Sequence, residues 1–233
     1  MKRGALIGLL LVTQFYACGD DSTTTPPGDT TPTAPRNGLV AEYLLSGNAN
    51  DSQGVNHGVP SGGPVLAPSR FGAANRAYLL DGVDDVITTA TDDFASGNNV
   101  SVSLWFNVPS VAGGLKYFVM CSDFGVFING ATAGIAISIP STDSAQGAFT
   151  TANTWHHLLG TYDGSDIRCY LDGVLVETTN HPGDIADLNR PLTFGVFIGN
   201  YWNGTIDDVR IYNRTITSAT EISNLYHEGG YAQ

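Results

Sequence analysis

Residues Trp155–Thr178 read WHHLLGTYDGSDIRCYLDGVLVET. Trp155–Tyr162, Ile167–Leu171 and Val174–Thr178 are three apolar runs, cut by Asp163-Gly164-Ser165-Asp166 and by Asp172-Gly173. Asp-Gly between apolar runs signals a tight hairpin, because a type I′ turn needs positive φ at both central residues. Within the middle run Ile167, Cys169 and Leu171 fall on one face and Arg168 and Tyr170 on the other, a period of two. The stretch therefore predicts a three-stranded antiparallel meander with one buried face.

Working outward, the same alternation recurs along the chain. Val100–Val108 places Val100, Val102, Leu104 and Phe106 on one face and Ser101, Ser103, Trp105 and Asn107 on the other. Leu39–Leu45, Ala77–Asp81, Val86–Thr89, Leu115–Cys121, Gly125–Asn129, Gly134–Ile139, Leu192–Gly199 and Thr205–Tyr212 are further strand candidates. Gly54–Pro68 is rich in turn residues, and Ser218-Ala219-Thr220-Glu221 reads as a capping box opening a short helix to about Tyr226. With 28 Gly, 11 Pro and only 14% charged residues in 233, the composition suits many short strands joined by tight turns. No internal repeat is visible. The expected class is all-β, a two-sheet antiparallel sandwich.

Several of these stretches together resemble one family. Trp155-His156-His157, Thr161-Tyr162-Asp163-Gly164 and Tyr170-Leu171-Asp172-Gly173-Val174 form the centre of the pattern. Gly47–Asp51, Leu80–Asp85, Ser103-Leu104-Trp105 and Gly204–Arg214 supply the rest. The pattern resembles laminin G-like domains of the concanavalin A-like lectin superfamily and covers nearly all of Gly38–Gly229. The resemblance implies a jelly roll of roughly a dozen strands. It also implies a lectin-like binding module, non-catalytic and probing an extracellular ligand such as a carbohydrate, with a structural or adhesion domain for protein partners as the alternative and a glycan-active enzyme as a third option.

The N-terminal end carries an export signature. Lys2 and Arg3 precede the apolar run Ala5–Val12, and small Ala17 stands before Cys18. A run of about eight apolar residues is too short to span a bilayer. Ala17-Cys18-Gly19-Asp20-Asp21 resembles a bacterial lipobox, which implies lipidation of Cys18 after removal of residues 1–17; simple secretion is the other reading. Gly19–Arg36 holds no large apolar residue and predicts a disordered tether across 18–37, with the folded domain at 38–233. The expected location is that of an exported lipoprotein anchored at a membrane, the outer membrane or cell surface, and otherwise the extracellular medium. Contact with a membrane is expected through Cys18 alone.

The net charge is −12, or −14 once Lys2 and Arg3 are lost. Nucleic acid is excluded as a partner, since phosphate recognition needs a basic footprint. A neutral glycan, an extracellular protein or a cation remains compatible. Only Glu42, Glu177, Glu221 and Glu228 are glutamates among the 22 acids, and most of the Asp residues belong to turns.

Candidate chemistry is sparse. Retaining glycoside hydrolysis needs two carboxyls about 5–5.5 Å apart across the scissile bond. The Glu-x-Asp-x-x-Glu strand of related glucanases is absent, and no two glutamates lie within five residues of each other. The expectation is no enzyme, and a chain with no second domain points the same way. His156 and His157 are consecutive in a strand and so face opposite sides, which prevents both from serving one ion. Trp105 reads as a buried ring. Tyr201-Trp202-Asn203 lies in a turn; Trp202 is either an exposed platform for a sugar ring or a flap over the sandwich end. Asp123, at the end of the Cys121 strand, is a further ligand candidate. Asp207 shares parity with Val209 and Ile211 and would carry a carboxylate inward, where it needs a partner. A structural Ca²⁺ held with Asp51 would serve, as the family resemblance implies; backbone N–H groups would serve equally. With Cys18 assigned to lipid, Cys121 and Cys169 form either a disulfide or two buried thiols.

Overall fold

The computed structural model describes residues 31–90, 98–121, 124–138, 142–185 and 191–231. Two antiparallel sheets pack face to face. The first has eight strands and runs Val174–Asn180, Asp166–Leu171, Trp155–Tyr162, Val100–Asn107, Asn203–Tyr212, Ala77–Asp81, Val65–Ala67, with Leu39–Tyr43 also paired to Asn203–Tyr212. The second has seven and runs Asp143–Ala148, Thr132–Ile137, Phe124–Asn129, Leu115–Cys121, Thr193–Phe194, Val86–Thr88, Val59–Ser61. A ribbon of Val196–Phe197 and Asn200–Tyr201 adds a third, small sheet. This is a two-sheet antiparallel jelly-roll sandwich, as the family resemblance implies.

The meander is the middle of the first sheet. Leu158 lies opposite both Leu171 and Leu104, so one apolar layer crosses three strands. Asp172 (φ 50°) and Gly173 (φ 78°) form the turn with positive φ at both centres. Val102, Leu104, Phe106, Leu158 and Ile211 point inward against Phe118, Val126 and Ile135 of the second sheet, all fully buried. Glycine is required at Gly160, where an added Cβ would stand 2.5 Å from Ile135 Cβ; the sheets touch there.

Part of the outer face of the first sheet is covered. Leu159, Tyr170 and Tyr212 are covered by Ile216 and by Ile222 and Leu225 of the helix Ala219–Tyr226. Ala34 completes this second apolar cluster, and Pro32 O accepts the Gly229 N–H at 3.1 Å. The packed chain thus reaches back beyond Gly38, because a small apolar residue inside the polar stretch finds a covered site. The helix starts where expected, but Ser218 makes no side-chain cap. Glu221, the other half of that box, is drawn instead to Arg214 at 2.5 and 3.0 Å.

Three departures from the expected strands have local causes. Leu192–Gly199 is not one strand; Gly195 (φ 90°) breaks it, and Ile198-Gly199 (φ 49° and 72°) turns the ribbon. Val59–Ser61 and Val65–Ala67 form inside the turn-rich segment, and Asp143–Ala148 forms as an edge strand. Cys121 and Cys169 are not bridged; both are buried thiols. Cys121 lies near the Tyr43 hydroxyl, whereas Cys169 sits among Ala133, Gly147 and Glu177, so they occupy different parts of the core. Burial pushes the Cys169 thiol up to about 12.

Candidate functional site

One end of the sandwich collects several strand ends. Asn203 opens the Asn203–Tyr212 strand and pairs with Asp81, the last residue of Ala77–Asp81. Gly82 (φ 81°) lets the chain turn there; a Cβ on it would stand 2.8 Å from Asn203 Cβ. Val108 to Gly114 and the start of Leu115–Cys121 form the facing wall. Between them lies a cleft of about 280 Å³ lined by Asp81, Lys116, Tyr201, Trp202 and Asn203, with the glycine-rich stretch Ala112–Gly114 at its rim. Tyr201 and Asn203 are thus brought together as the sequence suggests.

Trp202 is the correction. Its side chain is 1% exposed and its ring stands edge-on to Phe118 at 4.8 Å, in the main core. The ring fits because residue 204 is glycine, whose Cβ would collide with Trp202 Cζ2. An exposed platform is therefore replaced by a buried flap that closes the sandwich end and forms the cleft floor. Its indole N–H finds no hydrogen-bond partner among the described residues. Asp123 and Cys18 lie outside the described residues.

Sequence reasoning missed Asp81 and Lys116. Asp81 lay in a segment read as framework, and a single lysine at a strand start carries no signal. Asp81, Asp84 and Asp85 each bring a carboxylate oxygen to within 4.8 Å of the others. Such hard oxygen donors are the set a Ca²⁺ would use. They are also bound up in their own turn, with Asp81 Oδ1 accepting the Val83 N–H (2.8 Å) and Asp85 Oδ2 accepting the Asp81 N–H (2.9 Å). Asp84 and Asp85 do not line the cleft.

The residues expected to share a cation are separately engaged. Asp51 Oδ1 accepts the N–H groups of Glu42 (3.0 Å) and Gln53 (2.9 Å). Asp207 does not point into the core beside Val209 and Ile211. A bulge between Asp207 and Arg210, with Asp208 at φ 47°, shifts parity by one. Asp207 therefore lies opposite Trp105 on the outer face, 3.6 Å from Arg70. There Arg70 also pairs with Asp208, and Arg210 with Glu42 (2.9 Å) and Glu228 (2.8 Å). Burial, reinforced by the Asp208 charge and opposed by Arg70, pushes the Asp207 carboxyl up to about 8.

The histidines face opposite sides, as expected. His157 is wholly buried, its Nε2 2.9 Å from Ser103 Oγ, and burial with the nearby Arg70 and Arg210 charges lowers it to about 3. Ser103 is itself fully buried and unreachable by a substrate. His156 sets Nδ1 2.8 Å from Asp172 Oδ2 and Nε2 2.9 Å from Thr151 Oγ1, the outline of a hydroxyl–imidazole–carboxylate chain. Its Nε2 also lies 3.2 Å from the Thr151 carbonyl, an acceptor that a protonated Nε2 would serve. Burial alone would lower the ring's pKa, but the hydrogen bond and charge of Asp172 and the Thr151 carbonyl raise it. The ring thus ties the Thr151 loop to the Asp172 turn.

Comparison with known proteins places this geometry. A family model described as the concanavalin A-like lectin/glucanases superfamily, laminin G type, matches residues 81–223. Domain 4 of AbnA, a GH43 extracellular arabinanase from Geobacillus stearothermophilus solved in complex with arabinotriose, is 22% identical, with TM-score 0.64; the match covers 81% of this chain and 98% of that one. The receptor binding domain of botulinum neurotoxin C/D mosaic serotype is 14% identical, with TM-score 0.67, over 82% of this chain and 51% of that one. The binding domain of botulinum neurotoxin DC, in complex with rat synaptotagmin II, is also 14% identical, with TM-score 0.65, and again about half of it (51%) is covered. At these identities the likeness concerns the fold. No curated protein matches the chain.

Proposed function

The chain belongs to the concanavalin A-like lectin/glucanases superfamily, and on that premise we propose that its folded domain is a non-catalytic binding module that takes a glycan in the loop-end cleft. The observation that carries this reading is the cleft itself. It joins a half-buried tyrosine, an amide and a carboxylate on rigid strand ends, the mix of apolar surface and convergent polar groups that orients a hydroxylated ligand. Binding without turnover is supported by the carboxylate count: among the described residues that line the cleft, Asp81 is the one carboxylate, and a glycosidic bond there would meet no second acid across it. The arabinotriose held by the AbnA domain fits the same general role. Export, with a lipid on Cys18 as membrane anchor, belongs to the proposal; mass spectrometry of the native protein should find a lipid-bearing N-terminal Cys18.

The test is a glycan array with the purified protein, repeated with Asn203→Ala and Tyr201→Ala. Binding that either substitution weakens by about tenfold, with unchanged melting, supports the reading, on the scale of one lost orienting contact. A second reading, docking of a protein, is favoured by the edge strand Val174–Asn180, where Val174, Leu175 and Val176 are all exposed. An array without hits, together with a protein partner lost on Leu175→Lys, would favour it.

A further inference from the structure

The proposed reading leaves the chemical class of the glycan open, and the distribution of cations narrows it. Seven arginines and lysines lie among the described residues: Arg36, Arg70, Arg76, Lys116, Arg168, Arg210 and Arg214. Five are ion-paired: Arg36 and Arg210 with Glu42, Arg70 with Asp207 and Asp208, Arg168 with Asp163 and Asp166, and Arg214 with Glu221. Arg76 is exposed and unpaired. Lys116 is half-buried, lines the cleft and has no ion-pair partner among the described residues. Acids outnumber bases 22 to 10, so a shortage of carboxylates does not explain it.

Asp81 shares the cleft with Lys116 yet forms no ion pair with it. One Asp81 oxygen takes the Val83 N–H, and the residue is exposed, so its carboxylate can accept from a ligand hydroxyl. The Asn203 amide beside it both donates and accepts. One wall thus suits hydroxyls, while the other presents an ammonium without a counter-charge. We propose that the cleft takes a polyhydroxylated carboxylic acid, the acidic sugar residue of a glycan, with its carboxylate on Lys116 and its hydroxyls on Asp81 and Asn203. This rests on the binding reading and sharpens it.

One feature restricts the ligand further. The protein's net charge of −12 repels extended polyanions, so a single terminal uronate is favoured over a polyuronate.

Calorimetric titration of the purified protein with methyl glucuronide and methyl galacturonide, each against its neutral glucoside or galactoside, tests the assignment. At least one uronide should bind, and Lys116→Gln should weaken it by about tenfold or more, the scale of a charge-assisted hydrogen bond. The same change should alter any neutral-sugar binding by less than about threefold, and Lys116→Arg should restore uronide binding in part, because the positive charge is retained. Melting should be unchanged in both variants. Neutral sugars binding as well as uronides, with Lys116→Gln indifferent, would overturn the acidic class and leave the glycan reading standing. Failure of every saccharide, on the array as well as in titration, would overturn both.

Discussion

Trp202→Ala discriminates between a ring that holds the sandwich closed and one that meets ligand. A tryptophan in a core buries about 150–250 Å², which at about 25 cal/mol/Å² corresponds to roughly 4–6 kcal/mol as an upper bound. Large aromatic to alanine changes in cores cost about 3–5 kcal/mol. The indole N–H has no partner, so no hydrogen bond adds to the loss. Domains are stable by about 5–15 kcal/mol. At roughly 2–4 °C per kcal/mol for a domain of this size, Trp202→Ala should lower the melting temperature by about 6–20 °C. Trp202→Phe keeps the edge-on contact with Phe118 and should cost less than half as much. Gly204→Ala attacks the same packing from the other side, because its Cβ would strike Trp202 and Asn107; overpacking of this kind costs about 1–3 kcal/mol. Thermal and urea unfolding followed by circular dichroism measure all three. A Trp202→Ala protein that melts within about 2 °C of its parent while losing ligand would refute the buried-flap assignment.

Three further outcomes follow from the buried polar groups. Asp207 has its carboxyl raised from 3.8 to about 8 by burial, so its contribution is complete below 3.8 and is lost as pH rises through about 8; urea midpoints should fall between pH 5 and 9, and Asp207→Asn should flatten that fall. His156 is raised above 6.5, with Asp172 as the cause that outweighs burial, so its contribution is full below 6.5 and lost as pH rises through the higher folded value; an NMR titration of the ring at or below 6.5 would contradict the clamp, and Asp172→Asn should remove the upward shift. Unfolded without reductant, the protein should yield alkylated Cys121 and Cys169, whereas native Cys169 should react slowly because burial holds its thiol near 12.

The meander was legible because its determinants are local. Alternation set the strands, and Asp172-Gly173 set the turn, so Trp155–Tyr162 emerged with its observed ends. Leu192–Gly199 misled because the apolar residues on either side of Gly195 read as one run, whereas Gly195 (φ 90°) breaks it. Asp143–Ala148 pairs as an edge strand despite a polar composition, through Thr132–Ile137 alongside it. In the cleft, Tyr201 and Asn203 were readable as a turn rich in recognition side chains. Lys116 was not, since its distinction is the lack of a partner, a property of three-dimensional placement.

Asp207 shows most sharply where local reading fails. A period-two argument placed it inward with Val209 and Ile211, and one extra residue at Asp208 reversed it. Nothing in Asp-Asp-Val marks a bulge, because the positive φ falls on aspartate rather than glycine. What stabilises the reversal is Arg70, more than a hundred residues earlier, whose guanidinium lies 4.8 Å above the Trp105 ring and pairs with both aspartates. The four acids Glu42, Asp207, Asp208 and Glu228 face Arg70 and Arg210 in this network, with the more exposed Arg36 at its margin. Negative charge is in excess, so a proton is retained, and Asp207 holds it because it is deeply buried and more weakly paired than Asp208. The network ties Glu228, in the C-terminal segment, and Arg36, in the N-terminal one, to the outer face of the first sheet. That network buttresses the outer face of the first sheet, whereas Asp81, Lys116 and Asn203 gather on the strand ends around the cleft proposed to take the ligand.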